Sequence, residues 1–216
     1  MPFLFKKNLF KAPLNLRVEI IDIGKHIELL LNIEKACFEE HMQDSRQEII
    51  DYFSDKKATG MILFENNTAI GAMKGTQISE TNSPGIFSQY PFLKEKQKLT
   101  FYSDSIAILA DYRTTLVLDF FIHEIAVFVK RYGFEFFTGH ARVRRGYSRL
   151  LQRRYGAQKL DSYKDWQGFE EPFDYILFDL KTFPTLNGFS YFLMLSARKV
   201  YALLRTLKNE MVKNKV

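Results

Sequence analysis

Three side chains in the middle of the sequence are of types that move protons in enzymes: Asp104, Tyr102 and His140. A carboxylate, a phenol or an imidazole acts as a general acid or base when a reacting group lies within hydrogen-bond reach. Tyr102 and Asp104 lie in a β-rich run over residues 99–109, and the period of two puts them on one face of the predicted strand. Structural roles stay open as well, with Asp104 as a strand-end carboxylate bonded to backbone and His140 as a structural histidine at a strand end.

The other chemically active residue types do not form a metal site or a nucleophilic centre. The four histidines are scattered, and no pair has a ligand spacing such as His-x-x-x-His. The single cysteine, Cys37, excludes an intramolecular disulfide framework and a zinc cluster. Cys37 also sits on an apolar helix stripe without an adjacent base, which argues against a nucleophilic role. We therefore expect no metal cofactor.

The elements that must position these residues follow the order β-α-α-β-β-β-α-β-α-β-β. Apolar, β-rich runs predict strands at 16–21, 60–64, 69–75, 99–109, 134–140, 158–163 and 174–180. Helical spacing predicts helices at 26–39, 45–53, 111–132 and 147–154. The third helix is apolar almost all round and should be buried, whereas residues 78–98 are polar and predict a long loop. This order is typical of an α/β sheet with helices on its faces.

Charge is concentrated at the two ends of the chain. Residues 1–17 contain four Lys or Arg and no acid, and residues 181–216 contain seven and one. Residues 18–180 contain 20 basic and 24 acidic side chains. The basic ends either are solvated termini or address an anionic surface, such as a membrane or an acidic carrier protein. A nucleic-acid partner is not expected, because no recognised reading motif accompanies the basic residues.

We divide the chain into a basic arm over residues 1–16, a domain over 17–180 and an amphipathic basic helix over 186–213. The helix would pack on the domain, form a homodimer with a second subunit, or lie on a membrane surface. Neither terminus has an apolar stretch of about 20 residues, and Lys6 and Lys7 follow the apolar start instead of preceding it. We therefore expect a cytoplasmic protein, with peripheral membrane attachment left open.

An ordered set of segments resembles the GNAT superfamily of acyl-CoA-dependent N-acyltransferases. Residues 104–113 look like the family's fourth strand running into its pyrophosphate loop, and residues 140–157 are similar to the fifth strand and fourth helix. Residues 166–170, before the last strand, add to the likeness. The resemblance covers about residues 17–180 and implies a GNAT-like mixed sheet with helices on both faces.

The resemblance implies a site for an acyl-CoA donor between the fourth and fifth strands, which splay apart in this fold. The pantetheine arm would bond to strand backbone at Ile106, Ile108 and Leu109. The pyrophosphate would sit at the start of the next helix, whose free N–H groups and dipole favour anions. The family's loop has the pattern Gln/Arg-x-x-Gly-x-Gly/Ala. Here the loop consists of Arg113, Thr114, Thr115, Leu116, Val117 and Leu118, so that the arginine matches and leucines replace both small residues.

The implied chemistry is attack of an amine on a thioester carbonyl. Asp104 stands at the family's usual acidic position, as the base acting directly or through water, with Tyr102 beside it, and His140 would be a base or an oxyanion donor. Glu39 and Glu40 would shape the acceptor pocket or, alternatively, form a solvated helix end. The acceptor would be a small-molecule or peptide amine.

The family's tyrosine, which protonates the leaving thiolate, is replaced by Gln152 in this chain. An amide cannot donate a proton as an acid in the way that a phenol can. Tyr147 and Tyr155 lie about one helical turn to either side of Gln152, so Tyr155 is included among the candidate catalytic residues.

Three functions remain open: an acyl-CoA enzyme with a remodelled loop, an enzyme that takes its acyl group from acyl carrier protein, and a non-catalytic module that binds an acyl ligand, a partner or a membrane. The acyl group would be acetyl or longer. Four phenylalanines flank the predicted splay and would either form core or line a tunnel for a long acyl chain: Phe120, Phe121, Phe136 and Phe137.

Overall fold

The computed structural model describes residues 15–113, 115–164 and 171–183, except for the side chains of Thr115 and Leu116. Several predictions lie outside the described residues. They concern most of the basic arm, Thr114 of the pyrophosphate loop, residues 166–170 and the amphipathic helix over 186–213.

Seven strands form one mixed sheet with the spatial order β1-β2-β3-β4-β5-β7-β6. The strands are β1 (Leu16–Ile20), β2 (Thr59–Glu65), β3 (Thr68–Gln77), β4 (Thr100–Ile108), β5 (Phe136–Arg142), β6 (Gln158–Tyr163) and β7 (Phe173–Asp179). The helices are α1 (Ile23–Cys37), α2 (Arg46–Ser54), α3 (Ile86–Gln89), α4 (Pro91–Glu95), α5 (Thr115–Arg131) and α6 (Tyr147–Tyr155). All neighbouring strands are antiparallel except β4 and β5. The predicted order of the main elements and the α/β class are confirmed.

Local sequence signals explain where the helices begin and end. Ser45 and Glu48 form a capping box at the start of α2. Gly156 ends α6 with a φ of 70°, a conformation that favours glycine. The predicted start of α1 at residue 26 is wrong by three residues, because the Asp22 side chain accepts a hydrogen bond from the Gly24 N–H and starts the helix earlier.

The predicted long loop over residues 78–98 contains two short helices, α3 and α4, and a small apolar core. Ile78, Ile86 and Leu93 are fully buried, and they pack with Tyr102 of β4 and Tyr175 of β7. Helices of four and five residues are too short to show an apolar stripe. The burial of Ile78, Ile86 and Leu93 could therefore not be predicted from this mainly polar segment.

Helices cover both faces of the sheet. Helices α1 and α2 pack on one face through an apolar cluster: Leu30, Ile33, Ile49, Ile62, Phe64, Ala72 and Ala107. On the opposite face Phe137 lies 6.1 Å from Phe101 and 5.3 Å from Phe178, measured between ring centroids. Helix α5 is buried as predicted, and its buried residues include Phe120 and Phe121. Phe137 on β5 is buried as well. These three burials favour the core role for the phenylalanines over the acyl tunnel.

Close strand packing at Gly75 generates a stability prediction. A Cβ atom at Gly75 would lie 2.5 Å from the Tyr102 carbonyl oxygen, inside van der Waals contact. We expect Gly75→Ala to lower the free energy of unfolding by about 2 kcal/mol, because backbone must move to admit the methyl group. Urea unfolding measures the change. Gly24→Ala in the first turn of α1 is the control and should change stability by less than about 1 kcal/mol; equal effects would contradict the prediction.

Candidate active site at the β4 bulge

A one-residue bulge in β4 opens the sheet between β4 and β5. Against β3, Lys74 pairs with Ser105 and Gly75 pairs with Ser103, so Asp104 is the extra residue. Bulges bend and twist the strand that contains them. The parallel pairing of β4 with β5 ends at Ser103 and Gly139, just before the bulge. The carboxyl halves of the two strands therefore part, at the position where the resemblance implied a splay.

The open edge of β4 carries the backbone predicted to bind the donor. The Leu109 N–H donates to the Ile70 carbonyl on β3 at 2.8 Å, so this group faces away from the opening. The Ile108 carbonyl accepts a hydrogen bond of 2.7 Å from the Arg113 Nε–H. Arg113 thus caps the end of β4, and a donor that bonds to the Ile108 carbonyl must share it or displace the guanidinium. Ile106 pairs with Met73 of β3 at the middle of this half-strand.

The amino end of α5 lies just beyond the carboxyl end of β4. A 3-10 turn over Ala110–Tyr112 joins the two elements, and α5 begins at Thr115. Val117 is buried and Leu118 is partly buried. The first turn of a helix has free N–H groups, so this end of α5 is positioned to attract an anion.

An ion cluster around the buried Lys74 lies beside the bulge, and sequence reasoning missed it. Lys74, which is 7% exposed, forms an ion pair with Asp44 in the α1–α2 connection. Its Nζ also lies 3.6 Å from Glu34 Oε1 on α1 and 3.9 Å from Asp104 Oδ2. The ring of Tyr52 on α2 lies 5.5 Å from the same nitrogen. Three carboxylates therefore surround one ammonium group.

Asp104 is the carboxylate of this cluster that belongs to the bulge. Its side chain is 37% exposed, against 11% for Glu34. Burial raises the pKa of both carboxyl groups, and the Lys74 ammonium lowers both in part. Burial also raises the pKa of the Tyr52 hydroxyl, with a smaller contribution from the Asp104 charge. Asp104 thus combines access to solvent with a proton affinity above that of an ordinary aspartate.

Tyr102 and His140 meet across β4 and β5. The Tyr102 hydroxyl lies 3.2 Å from His140 Nδ1, within hydrogen-bond distance. The imidazole ring packs against Tyr175 and Tyr163, with ring centroids 4.7 and 5.4 Å away. Burial lowers the pKa of His140 to about 3 and raises the pKa of Tyr102 well above its usual range. Both groups are therefore neutral at pH 7 and act as hydrogen-bonding groups, not as a base that titrates near neutrality.

Gln152 lies on α6 in a chain of hydrogen bonds that leads to a buried carboxylate. Its Nε2 donates to Ser148 Oγ at 2.8 Å, and the Ser148 hydroxyl donates to Asp174 Oδ2 at 2.5 Å. Ser162 donates to the second Asp174 oxygen at 2.6 Å. This network fixes the Gln152 side chain, and sequence reasoning did not identify its other members, Ser148, Ser162 and Asp174.

Tyr155 makes structural contacts at the other end of α6. Its hydroxyl donates to the buried Asp119 of α5, which also pairs with Arg154 at 2.5 Å. Its ring stacks on Phe183 with an interplanar angle of 2°. Burial, with the Asp119 hydrogen bond, raises the pKa of the phenol. Because the Tyr155 hydroxyl donates its hydrogen bond to Asp119, Tyr155 has no part in the proposed chemistry.

Glu39 and Glu40 are both exposed, in the segment that follows α1. Glu40 begins a 3-10 turn, and Glu39 lies 4.0 Å from His41. Glu39 is also near enough to Arg142, at the carboxyl end of β5, for the two charges to interact. Glu39 therefore lies near the carboxyl end of β5, and both glutamates are solvated, so their role in an acceptor pocket stays a prediction.

Arginine is concentrated after β5. Residues 142–154 contain six arginines and no acid. Arg142 pairs with Glu171 at 3.0 Å, and Arg154 with Asp119. Four exposed members have no ion pair with any residue that the structure describes: Arg144, Arg145, Arg149 and Arg153. Arg145 and Arg113 both lie near Cys37 at the end of α1, where they partly offset the rise that burial causes in the thiol pKa. Arg113 after β4 and Arg145 after β5 thus both lie near Cys37.

Within residues 15–113, 115–164 and 171–183, no group of three or more His, Cys, Asp and Glu side chains is arranged to hold a metal ion. Over the same ranges, no helix has the length and apolar character needed to cross a membrane.

Solved structures share this architecture, although neither a protein-family model nor a curated protein matches the sequence. An N-acetyltransferase from Staphylococcus aureus Mu50 aligns with a TM-score of 0.59 and 15% identity, covering 77% of this chain and 99% of that chain. FeeM, an N-acyl amino acid synthase from uncultured soil microbes, aligns with a TM-score of 0.63 and 9% identity, covering 83% and 98%. The fold is that of the GNAT N-acyltransferases.

The comparisons also separate fold from reaction. GphF, a GNAT-like decarboxylase in complex with isobutyryl-CoA, aligns with a TM-score of 0.53 and 13% identity, covering 76% of this chain and 99% of that chain. One GNAT fold therefore supports more than one reaction, and the function of this chain has to be argued from its own site.

The buried His140 generates a pH prediction. The pKa of about 3 in the folded state lies below the value of about 6.5 expected after unfolding. As the pH falls below about 6.5, the unfolded chain binds a proton that the folded chain does not, so the free energy of unfolding falls. His140 contributes at most about 1.4 kcal/mol per pH unit to this loss.

We therefore expect His140→Gln to reduce the fall in stability between pH 7 and pH 5, measured by urea unfolding at each pH. His41→Gln, which removes an exposed histidine, is the control. An NMR titration of the folded protein gives an independent check, and protonation of His140 near pH 6.5 would refute the prediction.

Proposed function

We propose that the protein is an N-acyltransferase that moves an acyl group from a thioester donor to an amine. The observation that carries the proposal is the opening between β4 and β5, with a carboxylate on the bulge at its inner end and the start of α5 beyond its outer end. In this proposal a thioester arm lies along the open edge of β4. Its reactive carbonyl would then lie beside Asp104.

Asp104 is the proposed base. It takes a proton from the acceptor ammonium, directly or through water, and the free amine nitrogen attacks the thioester carbonyl carbon. A C–N bond forms and the C–S bond breaks as the thiolate leaves. The nitrogen then loses its remaining extra proton to solvent, which gives the neutral amide. A base works best when its pKa is near the working pH, and the rise that burial causes in the Asp104 pKa moves it in that direction.

The proposed reaction does not need a side-chain acid for the leaving group. Gln152 offers hydrogen bonds but no acidic proton. An alkyl thiol has a pKa of about 8.5, so its thiolate is already a stable leaving group and takes a proton from solvent afterwards. The absence of a tyrosine at this position is thus compatible with acyl transfer from a thioester, whereas it would weigh heavily against transfer from an ordinary ester.

The exposed arginines support an anionic donor carrier. Arg149 and Arg153 are one helical turn apart on α6, and like charges at this spacing destabilise a helix. Arg144 and Arg145 precede the amino end of the same helix, where positive charge is also unfavourable. An anionic ligand would offset these costs. The phosphates of acetyl-CoA or a longer acyl-CoA and the acidic surface of acyl carrier protein both meet this requirement.

A polar cleft supports a small amine acceptor. It has a volume of about 310 Å³ and is lined by Tyr52, Asp55, Lys57, Thr76, Gln77, Ile78, Ser79, Thr81, Asn82 and Gln97. This volume matches the lower end of small-molecule sites. The cleft lies by the amino half of β4, since Thr76 and Gln77 pair with residues 102 and 101, and Tyr52 connects its wall to the ion cluster. Donor and acceptor would thus approach Asp104 from opposite ends of β4.

The role of Asp104 is tested by Asp104→Asn. We expect acyl transfer from acetyl-CoA or a long-chain acyl-CoA to a panel of small amines to fall at least about 100-fold in kcat/KM, because the amide cannot accept the proton. Donor affinity should stay unchanged. Asp111→Asn, in the exposed 3-10 turn after β4, is the matched control. Full activity of Asp104→Asn would remove this residue from the mechanism.

The donor site is tested by calorimetric titration with acetyl-CoA, a long-chain acyl-CoA and acyl-loaded carrier protein. We expect Arg113→Ala and the double variant Arg149→Glu/Arg153→Glu to weaken binding of the true donor about tenfold or more, with a steeper loss at low salt. Lys94→Glu/Lys98→Glu makes the same charge change on the exposed surface around α4 and is the control. Absence of heat with all three donors would favour the non-catalytic module.

A further inference from the structure

Lys74 is a buried cation that the acyl-transfer chemistry proposed above does not use. It stands in β3 with its side chain 9% exposed, and an ammonium group so far from water is costly unless it is paired. A structural lysine needs one good partner, which Asp44 already provides. The presence of two further carboxylates within 4.0 Å calls for another explanation.

We propose that Lys74 is a positioning residue whose ammonium group keeps the Asp104 carboxylate ionised and directed at the β4–β5 opening. Asp44 and Glu34 hold the ammonium in place from the side of α1. The inference rests on the proposed function in one respect only, namely that Asp104 is the base.

The distances from Lys74 Nζ show that the carboxylates interact with the ammonium group in different ways. Lys74 donates to Asp44, whereas its Nζ is 3.9 Å from Asp104 Oδ2, beyond the 2.7–3.2 Å range of N–H···O hydrogen bonds. Lys74 therefore acts on Asp104 by charge alone. The lone pairs of Asp104 stay available to accept a proton, which a direct hydrogen bond from the lysine would hinder.

The backbone strengthens the same link. Lys74 pairs with Ser105, the residue directly after the bulge, and its side chain reaches back to Asp104. One residue therefore contacts both the extra residue of the bulge and its neighbour. A change at Lys74 should alter the position of the Asp104 carboxylate as well as its charge.

The charged and titratable groups around Asp104 come from every element packed against it. They are Glu34 of α1, Asp44 of the α1–α2 connection, Tyr52 of α2, Lys74 of β3 and Tyr102 of β4. Lys74 is the cation of this set. Without Lys74, ionised Asp104 would face two carboxylates and two phenols and no cation of this set, so the protonated form of Asp104 would be favoured.

The test replaces Lys74 with an uncharged side chain of similar length, Lys74→Met, and with a cation, Lys74→Arg. The Asp104 carboxyl carbon is followed by ¹³C NMR titration in the protein without ligand, and the pH profile of kcat/KM is measured with the active donor. We expect Lys74→Met to move both the titration and the acid limb to higher pH by about one pH unit or more, since an opposite charge at this distance is lost. Lys74→Arg should restore most of the change.

Two further variants separate this effect from damage to the fold. Lys56→Met removes an exposed lysine after α2 and should leave both curves in place. Lys74→Met/Asp44→Asn removes one cation and one anion together, so it carries the test if the single variant does not fold. An unmoved Asp104 titration in a folded Lys74→Met or double variant would overturn the proposal, even if activity or stability fell.

The two readouts keep the proposals apart. A shifted Asp104 titration in a protein that transfers no acyl group from any donor would support the role of Lys74 and refute the proposed function. An active enzyme whose acid limb does not follow the Asp104 titration would refute the assignment of Asp104 as base, whereas the effect of Lys74 on the Asp104 carboxylate is decided by the titration alone.

Discussion

The extra residue in β4 is the constraint on which the rest of the site depends. Because Lys74 pairs with Ser105 and Gly75 with Ser103, Asp104 has no partner on β3 and the strand bends there. The parallel ladder to β5 ends at the same level. One inserted residue thus creates the opening, supplies a carboxylate at its inner end and leaves strand backbone free to bind a ligand. A regular β4 would close the sheet and remove all three.

Charged side chains from four parts of the fold meet around the bulge. Lys74 and Glu34, with side chains 9% and 11% exposed, would each be costly to bury as lone charges, and the more exposed Asp44 and Asp104 complete the set. Together they connect α1, the α1–α2 connection, β3 and β4 around the bulge. On the other side of the opening, Tyr102 and His140 join β4 to β5 by a pair of neutral groups. The site is therefore charged at the bulge and neutral where Tyr102 and His140 join the two strands.

Periodic features were predictable from the sequence, and contacts between distant residues were not. The order of strands and helices, the burial of α5 and the glycine cap at Gly156 follow from local patterns. The ion cluster joins residues 34, 44, 74 and 104, whose proximity depends on the folded sheet. The burial of Lys74 could still have been suspected from the sequence. It is a lysine in an apolar strand, two residues from the core residue Ala72 and therefore on the same face of the strand. The small apolar core within residues 78–98 was not predicted, because its buried residues are too few to form a periodic pattern.

The fold restricts the reaction without determining it, since a GNAT-like decarboxylase shares the same architecture. What distinguishes this chain is the distribution of charge along β4. Cationic side chains gather at the carboxyl end, with Arg113 on the strand end and exposed arginines after β5. Three carboxylates surround one lysine at the bulge, so negative charges outnumber positive charges in this cluster. An anionic carrier would be drawn to the carboxyl end of β4 and a cationic amine to the bulge, which is the arrangement that the proposed transfer of an acyl group would use.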